Sequence, residues 1–372
     1  MRFAHRGTPL ALALLGLLGP AAAAHAQYFG KNPVQWERLQ FEVLQTEHFD
    51  IHYYPEEKAA AEQVGRMAER WYARLSRTLD FALKERQPIV LYASHGHFQQ
   101  TNTIGGAPGE GTGGVTEAYK RRIVMPLGAS LAETDHVLGH ELVHAFQYAM
   151  TGQGKVSTTN APAALQMPLW FIEGMAEYLS VGPVDAHTAM WIRDAARKEK
   201  LPTIDQLDSA RYFPYRYGQA LWAYLAGRFG DEIAGRALRA LNARTSDAGE
   251  VLKKVVGVDE KTLSREWHAA LRAAAEPQVA GRKWASAFAS PLITEKADGG
   301  DLNVGPALSP DGRRVAFLSE RDLFSVELFV ADAHTGKVTR RLSRSAIDPH
   351  LESLQFINSA GAWDRTGTRV AL

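Results

Sequence analysis

His140, Glu141 and His144 lie in the stretch VLGHELVHAFQY, residues 137–148, with the spacing His-Glu-x-x-His. On an α-helix, positions four apart share one face. Two imidazoles so placed can hold one zinc ion, and the glutamate between them then stands near the water that completes the site. Val137, Leu138, Leu142, Val143 and Phe146 surround the three polar residues, so the helix is expected to be mostly buried. Two histidines and a carboxylate on a buried helix carry a desolvation cost that calls for a partner.

A second stretch, PLWFIEGMAEYLS at residues 168–180, supplies a candidate partner. Pro168 is suited to a helix start, and Trp170, Phe171, Met175, Tyr178 and Leu179 are its apolar positions. Glu173 and Glu177 are four apart. Alone they would suit a solvated face. Beside the first motif, Glu173 is the natural third ligand for a zinc ion that also needs one open position. Glu177, one turn on, can accept the spare ring N–H of a liganding histidine and so select its tautomer. Gly174 inside a helix costs about 1 kcal/mol relative to alanine, which suits a place where two helices approach closely.

His140-Glu141-x-x-His144 followed by Trp170-x-x-Glu173-Gly174-x-Ala176-Glu177-Tyr178 resembles the gluzincin metallopeptidases, in particular the bacterial peptidase MA-like families. The resemblance implies an α+β zincin-like domain, one Zn2+ on His140, His144 and Glu173, Glu141 as general base, Glu177 as a supporting acid, and a peptide or protein substrate. It is specific over residues 137–180 and loose over 30–275. A metzincin would need glycine at 147 and histidine at 150, where this chain has Gln147 and Met150.

Lysine plus arginine number 42 and aspartate plus glutamate 41. That balance argues against a general binder of nucleic acid or of a membrane surface. There is no cysteine, which excludes disulfides, a cysteine lipid anchor and thiolate-held zinc. Residues 1–26 are expected to be a cleavable signal peptide. Arg2 and Arg6 precede a short apolar core, and Ala24-His25-Ala26 fits the cleavage site, leaving Gln27 first. A periplasmic or secreted protein follows, not membrane-spanning once the signal is cut.

The elements that must position the site can be ordered along the chain. Strands are predicted at 41–44, 48–54, 89–93 and 123–126, with a helix over 56–83. Residues 94–114 form a loop with seven glycines. It lacks the Lys-Ser/Thr ending of a phosphate-binding loop, and His95 and His97 read as plain loop histidines. By resemblance and the physics of strand addition, residues 114–126 form a substrate rim. Thr134 or Asp135 can cap the zinc helix. His136 lies too far along the axis to join His140 and His144 on one tetrahedral ion, so it is assigned to the surface or to a supporting contact. A loop at 151–167 and helices at 185–199, 216–229, 231–242 and 262–275 complete an α+β order over residues 27–275. In RYFPYRYG, residues 211–218, Tyr215 or Tyr217 could donate to an oxyanion, as tyrosines on a later helix do in related gluzincins.

Residues 276–300 have the composition of a linker. Beyond it, LSPDGRRVAF at 308–317 and WDRTGTRVAL at 363–372 align without gaps and share Gly312/Gly367, Arg314/Arg369, Val315/Val370 and Ala316/Ala371. This texture resembles the TolB-like β-propeller repeat. It implies that residues 301–372 hold an incomplete all-β propeller segment, one blade and the start of a second. Because closure needs at least four blades, the chain is expected to be a piece of a longer protein, with unpaired strand edges at its end. The propeller could dock an envelope partner. Two other functions stay open at this level: a non-catalytic envelope scaffold, and a zinc hydrolase of a non-peptide amide.

Overall fold

The structure is a computed structural model that describes residues 35–103, 108–109, 111–152, 161–242, 247–322, 325–345, 354, 356 and 361–372. The expected signal peptide lies outside the described residues. Five strands form one sheet in the order β1-β2-β3-β5-β4: β1 Glu42–Gln45, β2 Phe49–Tyr53, β3 Gln87–Tyr92, β4 Val115–Glu117 and β5 Arg122–Pro126. β2, β3 and β5 run parallel, while β1 and the edge strand β4 run antiparallel to their neighbours. Alternation sends Phe49, Ile51, Ile89, Leu91, Ile123 and Met125 to the main core, and Tyr92 and Val124 to a smaller cluster with Tyr54 and Phe98 on the other face.

Helices cover the core face. α1, Lys58–Leu79, links β2 to β3 and ends at Asp80, which takes the left-handed conformation (φ 50°). α2, His95–Phe98, is one turn inside the expected loop, begun by Ser94, whose hydroxyl accepts from the His97 backbone N–H. α3, Leu131–Thr151, carries the His-Glu-x-x-His residues. Its cap is neither Thr134 nor Asp135. Ser130 accepts from the Glu133 N–H, and the Glu133 carboxylate accepts from the Ala129 N–H, a reciprocal pairing that satisfies donors at the helix start. Thr134 instead accepts from the Gly128 N–H, and Asp135 accepts from the Trp71 indole.

α4, Leu169–Val181, is almost wholly buried and runs beside α3. After it come α5 (Ala186–Arg197), α6 (Pro214–Phe229), α7 (Ile233–Ala240), α8 (Ala248–Val256) and α9 (Glu260–Val279). α8 has no counterpart among the expected helices, and α9 runs past residue 275 to Val279. Trp284, in the expected linker, lies with its ring 3.7 Å from the Arg197 guanidinium of α5. Gly174 does mark a close approach, but to α6 rather than α3. A Cβ at Gly174 would lie 2.4 Å from the Gly218 backbone, and one at Gly218 would lie 2.3 Å from the Trp170 carbonyl oxygen. Gly174→Ala should therefore push α4 and α6 apart and cost about 1–3 kcal/mol of stability, measured by denaturant unfolding. A change under about 0.5 kcal/mol would contradict the crossing.

Toward the C-terminus, β6 (Asn303–Leu308), β7 (Arg314–Ser319), β8 (Glu327–Asp332) and β9 (Val338–Arg341) form an antiparallel meander, and β10 (Ala362–Trp363) pairs with β11 (Val370–Ala371). Trp363 packs against one face of the meander, with its indole N–H donating to the Ala307 carbonyl. Among the described residues these sheets remain open.

Candidate metal centre

The side chains of α3 and α4 converge on one point. His140 Nε2 lies 3.1 Å from His144 Nε2 and 3.1 Å from Glu173 Oε2, and His144 Nε2 lies 3.2 Å from the same oxygen. The other ring nitrogens are already engaged. His140 Nδ1 is 3.1 Å from Glu177 Oε1, and His144 Nδ1 is 2.8 Å from Gln147 Oε1. The orientation of Gln147 is set by its amide N–H, which donates to the Ile172 carbonyl. A carboxylate and an amide oxygen can only accept, so both Nδ1 atoms carry hydrogen. In the neutral rings both Nε2 atoms then present lone pairs, and Glu173 Oε2 is a third. Three lone-pair atoms at these separations repel one another unless a metal ion or protons lie among them.

The dimensions suit a metal. Tetrahedral bonds of about 2.0–2.1 Å set neighbouring donors about 3.3–3.4 Å apart, close to the 3.1–3.2 Å found here. The histidine–glutamate donor set suits zinc but does not identify it. A second group, His136, His140 and Glu177, also has donor atoms within 4.8 Å of one another. There, however, Glu177 also meets the Arg216 guanidinium at 3.2 Å, so a cation is already in place. His136 Nε2 is 3.1 Å from Glu177 Oε1, and Arg216 also reaches Asp185 at 3.2 Å. His136 and Arg216, the latter also held by Asp185, thus hold Glu177, and Glu177 holds His140.

Burial opposes charge on these groups, and their mutual contacts overcome it. Burial lowers the His140 imidazolium, but Glu173 and Glu177 more than offset that and hold its pKa up at about 10. His144 is raised in the same sense, against burial, chiefly by Glu173. Burial pushes Glu173 and Glu177 up, and the imidazoles pull both further down, Glu173 well below the usual range and Glu177 to about 2. Without a metal, the cluster holds protons in the cation's place.

Glu141 faces the edge strand. The Thr116 hydroxyl on β4 lies 2.6 Å from Glu141 Oε2 and 2.9 Å from the Glu141 carbonyl oxygen, and its single hydrogen serves one at a time. Gly114 lies against the rest of the carboxylate, where a Cβ would sit 2.9 Å from Cγ and 3.0 Å from Oε1. Tyr215, at the start of α6, stacks on His140 with ring centroids 5.9 Å apart. Burial, then the nearby carboxylates of Glu173 and Glu141, push its phenol above the ordinary value, so it keeps its hydrogen through the neutral range. Tyr217 is not brought to the cluster. Two residues on, it points elsewhere, with its ring against Trp191 and Tyr212.

Sequence reasoning missed Thr116, Gln147, Tyr148 and Arg216. Tyr148 stacks on His144 with centroids 6.1 Å apart, as Tyr215 does on His140. Burial and the carboxylates of Glu173 and Glu141 raise its phenol too. A signal existed for Gln147 and Tyr148, since i+3 and i+4 from His144 share its helix face. None existed for Arg216, which is remote in sequence. Gln147→Leu removes the acceptor that selects the His144 tautomer. It should weaken metal affinity about 10- to 100-fold, as measured by competition with a chelator of known affinity. Unchanged affinity would remove Gln147 from the site.

The chain matches no family model and no curated protein.

Proposed function

We propose that this is an exported zinc-dependent peptidase, with the metal held by His140, His144 and Glu173. The observation that carries the reading is the meeting of three lone-pair atoms, two of them imidazole nitrogens whose ring partners are already committed as donors. Glu177 and Gln147 keep the two imidazoles in the tautomer that faces the metal. When bound, zinc supplies Lewis-acid polarisation and makes water acidic near neutral pH.

Glu141 is the general base. It takes a proton from the attacking water as oxygen adds to the scissile carbonyl carbon, and it delivers that proton to the amine nitrogen as the C–N bond breaks. Thr116 steadies one oxygen of its carboxylate, and Gly114 leaves room at the other. The Tyr215 phenol donates to the oxyanion that develops in between. The edge strand β4 offers backbone groups to an extended substrate.

Metal analysis of the purified protein, with cleavage of a peptide library by wild type and by Glu141→Gln, tests the reading. About one zinc per chain and cleavage by wild type alone are expected. Zinc with no cleavage of any peptide by wild type would overturn it.

A further inference from the structure

Beside the metal centre lies a cavity of about 230 Å³ that the mechanism leaves unused. Its walls are Phe81 and Leu83 from the end of α1 and the turn after it, Thr116 from β4, and Ala145, Tyr148 and Ala149 from α3. Two of these residues also touch the site, since Thr116 bonds Glu141 and Tyr148 stacks on His144. On α3, Glu141, Ala145 and Tyr148 follow one another at four and three residues, so one helix face runs from the general base into the cavity.

We propose that this cavity is a specificity subsite of the cleft, taking one leucine- to phenylalanine-sized apolar side chain of the substrate next to the scissile bond. The proposal rests on the peptidase reading above. The cavity is smaller than the roughly 300–1,000 Å³ of sites that enclose a whole small molecule, so it suits a single side chain. Phe81, Leu83, Ala145, Tyr148 and Ala149 give it one apolar wall, and Lys84, Glu85, Gln87, Glu117 and Arg121 line the rest. Glu85 pairs with Arg121 at 2.7 Å and Glu117 with Arg122 at 2.5 Å, so a basic side chain would find both lining carboxylates taken. β4 contributes both the edge on which an extended chain could pair and the Thr116 wall. A substrate strand on that edge sends alternate side chains to opposite faces, and one of them would enter the cavity.

The test compares wild type with two variants, Ala149→Trp to fill the cavity and Phe81→Ala to enlarge it. Peptides differing only in glycine, leucine, phenylalanine or tryptophan at one position flanking the cleaved bond are the probes. Filling should lower the phenylalanine-to-glycine ratio of kcat/KM by about 10- to 100-fold, and enlarging should shift the preference toward tryptophan. Unchanged ratios in the folded variants would overturn the subsite while leaving the peptidase standing. Should wild type cleave nothing, N-acetyl-phenylalaninamide and N-acetyl-glycinamide replace the peptides, with binding followed by NMR. Preference for the former, altered in either variant, would retain the apolar pocket and reject the hydrolase. Equal binding of the two amides would reject the pocket as well.

Discussion

Glu141→Gln should lower kcat by roughly a hundred- to ten-thousandfold while the purified variant keeps its zinc and its melting temperature. The carboxylate of Glu141 lies outside the triangle formed by His140, His144 and Glu173, so the change removes no ligand. Glutamine has nearly the same shape, and its amide can still pair with the Thr116 hydroxyl that meets Glu141 Oε2 at 2.6 Å. Packing against Gly114 is likewise retained. What is lost is a group able to accept a proton and return it. The measurement pairs steady-state kinetics with metal content and thermal unfolding on the same preparation. A variant that cleaves at the wild-type rate would remove Glu141 from proton transfer, and one that loses its zinc would place Glu141 among the ligands. Thr116→Val should act in the same direction but more weakly, because it disturbs the aim of the carboxylate without removing it.

The convergence of His140, His144 and Glu173 was legible because helical geometry alone puts His140 beside His144, and an acid on the next buried helix has few places to point. Between Tyr215 and Tyr217 the sequence could not choose. Positions two apart on a helix diverge by about 200°, and only the packing of α6 against α4 at Gly218 and Gly174 turns Tyr215 toward His140. The supporting contacts were hidden for a different reason. Gln147 shares the helix face of His144, but its bond to that ring depends on an amide turned by the Ile172 carbonyl of another helix. Arg216 reaches Glu177 across 39 residues of chain. The cap of α3 was legible and passed over: Ser130 and Glu133 stand three apart before an apolar run, the spacing of a capping pair. Gly174 announced a close approach without naming Gly218 as its partner, since nothing in a local pattern says which later helix will cross it.

Chelation should destabilise the protein, and the loss should grow as pH rises from about 6.5 to 8.5. In the chelated protein the cluster is neutralised by protons. His140 is held at about 10 in the folded chain, against an ordinary value of 6.5. Its contribution is therefore complete below pH 6.5 and is lost as pH rises toward 10, at up to about 1.4 kcal/mol per pH unit for each such proton. Glu177, held at about 2 in the fold, works on the acid side, with a contribution present above its ordinary 4.5 and lost as pH falls toward 2. The chelated protein should thus be most stable between these limits, near pH 4.5–6.5. The zinc form behaves oppositely over the alkaline range. Ligation needs both imidazoles without a proton on Nε2, so uptake releases protons and affinity strengthens with pH. At free zinc one hundred times the Kd, binding adds about 2.7 kcal/mol, and lowering the Kd enlarges that figure. Melting curves with zinc and with chelator at several pH values give the gap directly. A gap that stays constant or narrows toward pH 8.5 would mean that metal and protons do not compete for the same nitrogens. Glu173→Gln sharpens the test. With that carboxylate gone the imidazoles lose an anion that raises their pKa values, so the variant should both fail to retain zinc and show a shallower alkaline decline in chelator than wild type.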